Sequence, residues 1–300
     1  MAELRTETMT VNMGPQHPST HGVLRLVLEL DGETIKSCMP TIGYLHTGIE
    51  KTAEQKKWQQ VVPLVERMDY LAAQSNSLCY VLSVETLLGL EMPQRVKDIR
   101  VLLAELQRMA SHLVWIGTHA MEIGAVSMLF YAIRERELLM NINELVAGFR
   151  FFPSYFRVGG LREDLPRGFH AAVRAFLDTF PAKLDEYEDL LTKNAIYLQR
   201  TQGVGVISKA DAVAYGLVGP IARAAGVDYD VRKYFPYLGY DTLQFDVPTR
   251  TTGDVYGRYQ VRVAEIHINV RSESTARVQE VHRTVIHVIC DLVERSIVQR

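Results

Sequence analysis

The sequence predicts an α+β fold, mainly helical, with a small β region at its N-terminus. Two patterns carry that reading. Within the first 50 residues, apolar side chains recur at every second position and run into a hairpin dipeptide. From residue 51 the apolar spacing lengthens to three and four residues, the period of a helix with one buried face. No internal repeat or low-complexity linker interrupts the chain. The expected division is a β and loop region over 1–50, a helical core over 51–265 and a divergent tail over 266–300.

Taken in order, Leu24, Leu26, Leu28 and Leu30 alternate with Arg25, Val27 and Glu29, which predicts a strand. Asp31-Gly32 tolerates positive φ at both positions and predicts a two-residue hairpin, with Glu33 to Met39 as the return strand. Pro93 suits the first turn of a helix, where its missing amide costs nothing. Ile99, Leu102, Leu106, Met109 and Leu113 then mark the buried face of that helix. A second long helix is expected over about 130–149. A third begins near Gly168 and is kinked or broken at Pro181, which lacks the amide donor. Ser208 to Asp211 has the form of a capping box before a further helix, which Pro220 interrupts. Tyr234 to Pro248 is rich in aromatics and has little helical period.

The chain has 300 residues, 47% hydrophobic and 23% charged, enough to bury a sizeable core without staples. Lys and Arg total 33 against 35 Asp and Glu, a formal net charge of −2. That balance argues against a strongly basic nucleic-acid binder, and no nucleic-acid partner is expected. Cys38, Cys79 and Cys290 are widely spaced and form no CxxC, so neither a disulfide framework nor a cysteine-held metal is expected. Met1 to Thr10 has no apolar run of a secretory signal. Leu113 to Ile133 approaches the length of a membrane span. His119, Glu122, Gly117 and Gly124 interrupt it, and it reads as buried segments of the helical core. Any membrane association is then peripheral, through partners.

Three segments could carry chemistry. Gly14 to Gly22 holds His17 and His21 around Pro18, a polar loop that feeds into the leucine strand. It is either a structural turn whose histidines satisfy backbone groups, or a loop that presents an imidazole from a rigid support. Arg67, Asp69 and Tyr70 lie together and offer a cation, an anion and a phenol, or a plain ion pair beside a core tyrosine. Glu122 sits in the apolar run, where a carboxylate either needs a partner such as His119, three residues away, or reaches out to solvent. Gly159-Gly160 and Gly203-Val204-Gly205 match no phosphate-loop pattern and read as tight turns.

Eight segments occur in a fixed order: NMGPQHPSTHGVLRL, GYLHTGIEK, RMDYL, RMASHLVWIGTHAMEIGA, FYAIRERE, RVGGLREDLP, GVGVI and GVDYDVRK. Together they closely resemble the large quinone-site subunit of respiratory complex I, the 49-kDa or D-type subunit family of NADH–quinone oxidoreductase. The resemblance covers about residues 5–265. It implies a helical bundle like that of the [NiFe]-hydrogenase large subunit. It implies an iron–sulfur subunit as neighbour, other peripheral-arm and membrane-arm subunits as partners, and a place on the cytoplasmic face of the inner membrane. A quinone headgroup would be contacted by His21 and Tyr70, which would hydrogen-bond its carbonyl oxygens and supply or relay protons. NADH and the iron–sulfur clusters would be held by other subunits. The carboxylate that partners the histidine is usually an Asp in the family, and the matching position here is Glu122. Many members carry a histidine where this chain has Phe152, so tuning of the cluster through that histidine is not expected. A hydrogenase-type catalytic subunit would need two cysteine pairs, which the chain lacks. A scaffold that has lost activity is the remaining alternative.

After Glu265 the resemblance stops abruptly. The last 35 residues hold three of the nine histidines, His267, His282 and His287. A shifted reading frame or truncated gene would produce such an ending, and a genuinely diverged tail is the other reading. Val281, Val285, Val288 and Leu292 keep helical spacing.

Overall fold

A computed structural model describes residues 8–267, so the tail over 268–300 lies outside the described residues. The chain divides into two compact units, with the boundary after Lys56.

The first unit is a three-stranded antiparallel sheet in the order β1 (Met9–Met13), β2 (Arg25–Asp31), β3 (Thr34–Thr41), followed by a short helix α1 (Ile49–Ala53). The leucine strand is the central one, paired Met9 to Leu30 on one side and Leu28 to Cys38 on the other. The two-residue turn falls on Gly32-Glu33, one position later than the dipeptide suggested, because Asp31 pairs with Thr34. Gly32 takes φ +62° there. Leu28 is the buried strand residue, while β3 is exposed along its length.

The second unit is helical. It runs α2 (Trp58–Val65), α3 (Ala73–Leu88), α4 (Gln94–Glu122), α5 (Val126–Ala147), a small hairpin β4 (Phe156–Arg157) and β5 (Gly160–Leu161), then α6 (Phe169–Leu191) and α7 (Ala195–Thr201). Four further helices follow: α8 (Lys209–Ala214), α9 (Gly219–Ala224), α10 (Val231–Tyr234) and α11 (Val255–His267). Helix α4 is the axis of the unit, with α3, α5 and α11 packed on it. Its predicted stripe of Ile99, Leu102, Leu106, Met109 and Leu113 is buried throughout. Gly117 lets α5 approach closely, since a Cβ there would stand 3.1 Å from that of Ala132 and 3.2 Å from the Leu129 Cα. Ile123 to Ala125 separates α4 from α5, so the run from Leu113 to Ile133 is two helices joined by a turn. No helix among the described residues is long and apolar enough to cross a membrane.

Of two proline expectations, the first is narrowed to a kink and the second is corrected. α6 continues through Pro181, flanked by buried Leu177, Phe180 and Leu184. One missing backbone bond is outweighed by burial of these side chains, each worth about 1.5–3 kcal/mol. Pro220 opens α9 rather than interrupting α8, which ends at Ala214 before Gly216 at φ +62°. Ser208 does cap α8, accepting the Asp211 amide at 3.0 Å, and its hydroxyl donates to the Asp211 carboxylate at 2.7 Å.

A buried ion pair fixes the β4–β5 hairpin to the core. Arg100 on α4 meets Glu85 on α3 through two bonds of 2.7 and 2.8 Å. Arg100 also donates to the carbonyls of Arg157 and Gly160, and the Gly159 amide donates to Glu85 at 2.8 Å. Both members of the pair thus gain further hydrogen bonds that offset their loss of water.

Candidate functional site

His21 belongs to the sheet unit. His17 to His21 form a single 3₁₀ turn over Pro18–Thr20, so the two imidazoles do not share an α-helical face. His17 caps the turn, its Nδ1 accepting the Ser19 amide at 3.1 Å. His21 ends it in the left-handed region, φ +54°, and is exposed. Thr20 is buried and its hydroxyl donates to the carbonyls of Pro15 and His17. Gly14 closes the loop at φ +86°, where a Cβ would stand 2.1 Å from the Leu24 carbonyl oxygen. The loop is therefore a fitted turn that keeps both imidazoles at the surface, His17 as its cap and His21 at its end.

Tyr70 belongs to the helical unit, in the turn between α2 and α3, and is 46% exposed. Asp69 organises this turn. Its carboxylate accepts the Leu71 amide at 3.1 Å, and its carbonyl accepts the Asn76 side chain at 3.1 Å. Gln107, buried in the middle of α4, donates to the Leu71 carbonyl at 2.6 Å. On the near side, the Arg67 guanidinium lies 4.6 Å over the Phe152 ring and donates to the Pro63 carbonyl. The buried Glu66 carboxylate accepts both the amide and the hydroxyl of Ser154, at 3.1 and 2.9 Å. Tyr70 is thus a half-exposed phenol on a turn held from both ends, not a core tyrosine. The sequence marked Arg67, Asp69 and Tyr70. It held no sign of Gln107 or Glu66, whose partners Leu71 and Ser154 are distant in the chain.

Glu122 is the last residue of α4 and is exposed, which fits the second of the two readings, a carboxylate that reaches towards solvent. The turn carrying Tyr70 is tied to α4 at Gln107, about four turns before Glu122. His119, one turn earlier on α4, has a largely buried setting. The His119 ring stacks on Trp115 with centroids 4.6 Å apart and meets the edge of Tyr197 at 5.9 Å. Burial, together with the nearby cations Arg262 and Arg258, pushes the ring down to about 4. Such a ring is neutral at pH 7.

The helical unit also holds a cavity of about 740 Å³ between α3, α4 and the segment around α10. Leu78 and Leu82 form its apolar wall, and Glu105, Arg108, Arg232 and Glu265 its charged one. Neither Tyr70 nor Glu122 lines it. No group of three or more His, Cys, Asp or Glu gathers for a metal among the described residues.

The family described as respiratory-chain NADH dehydrogenase, 49 Kd subunit, matches residues 122–281, a stretch that runs past Glu265. The D 2 subunit of the NADH-quinone oxidoreductase of Chloroflexus aurantiacus is 57% identical over 278 residues, covering 92% of this chain and 68% of its own length. The D 1 subunit from Roseiflexus castenholzii is 60% identical over 264 residues, with 88% and 63% covered. The corresponding D-type protein of Geotalea uraniireducens is 56% identical over 266 residues, with 89% and 68% covered. The chain spans about two thirds of the length of these relatives. With both the family match and these identities, the chain belongs to the 49-kDa subunit family of respiratory-chain NADH dehydrogenase.

Proposed function

We propose that this chain is the quinone-site subunit of an NADH–quinone oxidoreductase, with His21 and Tyr70 as the residues that contact the quinone headgroup. The observation that carries the reading is the 56–60% identity to relatives named as D-type subunits of that enzyme. The placement of both residues on fitted surface turns supports it, since a site completed by a second subunit needs its residues at the surface of this one. Reduction of a quinone to a quinol takes two electrons and two protons. The electrons would come from an iron–sulfur cluster held by a neighbouring subunit, and NADH would be oxidised in others. The imidazole and the phenol supply hydrogen bonds to the carbonyl oxygens as negative charge develops there, and can pass protons to them. Glu122 enters the proposal as an exposed carboxylate at a helix end, not as the buried partner of His119. In this reading the chain is a peripheral subunit that meets the membrane through its partners, an iron–sulfur subunit among them.

The test uses the assembled complex. His21→Ala and Tyr70→Phe should each lower quinone reduction by about tenfold or more, as loss of a positioned proton donor does. Transfer from NADH to an artificial acceptor upstream should persist. Normal quinone reduction in both variants would end the assignment.

A further inference from the structure

The turn carrying Tyr70 is fastened at three places, and two of them have an ordinary structural explanation. Asp69 caps its own turn, and Gln107 satisfies a carbonyl that would otherwise be left open. The third fastening is different. Glu66 is fully buried, an unfavourable place for a carboxyl group, and its Oε1 has no hydrogen-bond partner. Its Oε2 accepts both donors of Ser154. Ser154 follows Pro153 and sits at φ +42°, a left-handed conformation that a non-glycine residue rarely adopts. Ser77, close by on α3, spends its hydroxyl on the Ala73 and Gln74 carbonyls. One residue further along, Arg67 stacks on Phe152, two positions before Ser154. Glu66 and Arg67 therefore bind two points of the 152–154 segment to the entrance of the turn that ends in Tyr70.

We propose that Glu66 is a positioning residue for Tyr70: its buried carboxyl group locks Ser154, and with it the 152–154 segment, against the α2–α3 turn and so fixes where the phenol is presented. The inference rests on the reading of Tyr70 as a quinone contact. A fully buried carboxyl group with a strained residue as its main partner is a costly way to build a mere brace. It is an effective way to hold a half-exposed side chain to a fraction of an ångström, a tolerance that acid–base contacts with a substrate require.

A double-mutant cycle on the assembled complex tests this. Glu66→Ala should lower kcat/KM for quinone by about tenfold through loss of alignment, while NADH oxidation by an upstream acceptor stays intact. Glu66→Gln keeps the acceptor and the volume, and should restore most of the activity. In combination with Tyr70→Phe, Glu66→Ala should add little further loss, because it acts through that tyrosine. Ser154→Ala removes one of the two bonds with less risk to folding. It should show the same non-additivity at a smaller amplitude, about two- to fivefold. Effects of Glu66→Ala or Ser154→Ala that multiply independently with Tyr70→Phe would overturn the proposal, as would wild-type kinetics in both. If Tyr70→Phe itself leaves quinone reduction unchanged, it is the underlying reading of the site that fails.

Discussion

His119 and Glu122 stand three residues apart on one helix, and the structure separates their chemistry. The imidazole lies among Trp115, Tyr197 and two nearby arginines, while the carboxylate faces outward at the helix end. Burial and the positive charges of Arg262 and Arg258 both disfavour the imidazolium. NMR titration should therefore find the His119 ring neutral down to about pH 5. Glu122→Gln should leave that titration in place, and a marked drop in the His119 pKa on making this change would show that the carboxylate does reach the ring. The residues proposed to carry chemistry, His21, Tyr70 and Glu122, stand out in the sequence because their motifs are contiguous. Burial was not visible. The apolar run of about twenty residues leaves Glu122 either enclosed or reaching solvent, and the turn at Ile123 to Ala125 puts it at an exposed end. Glu66 looked like an unremarkable helix-end acid, since its partner Ser154 lies 88 positions away.

At the scale of elements, period and turn chemistry were legible, and proline was over-read. The leucine alternation gave the central strand, and the stripe from Ile99 to Leu113 gave the buried face of α4. The helix expected over 130–149 begins at Val126, because the Ile123 to Ala125 turn lets a helix restart sooner than its charged residues suggest. Of the kink or break expected at Pro181, the break does not occur: its neighbours Phe180 and Leu184 are buried and hold the helix together across the missing donor. Pro220 sits in the first turn of α9, the position that a proline tolerates best. The sheet unit hides almost no strand side chain in itself, and Met39 is 68% exposed. Local pattern cannot report such exposure, because alternation marks which residues share a face and not what covers it.

Across the helical unit a charged network joins distant parts of the chain. Glu105 on α4 takes hydrogen bonds from Arg108, Arg232 and Tyr240, and Glu265 on α11 meets Arg223 and, at 2.9 Å, His112. Burial alone would raise both carboxyl groups. Arg108 and Arg232 outweigh it at Glu105, and the His112 contact with Arg223 and Arg108 outweighs it at Glu265, holding each at about 2. Burial and Arg108 lower His112 itself, against the raising effect of Glu265. Carboxyl groups held below their unfolded value, near 4.5, add stability that is complete above that pH. That contribution is lost as pH falls from about 4.5 towards 2. Urea midpoints should accordingly drop between pH 5 and pH 3, and a midpoint that stays level over this interval would count against the network. Sequence could supply the charges but not their pairing, since Glu105 and Arg232 are 127 positions apart. The hairpin of β4 and β5 has only two residue pairs and would open freely on its own. Its Gly159 amide, however, ends on Glu85, which Arg100 holds inside the core. In deuterated water that proton should exchange on the timescale of global unfolding, hours or days behind the neighbouring loop amides, so a glycine at the tip of the smallest element becomes a clock for the whole unit.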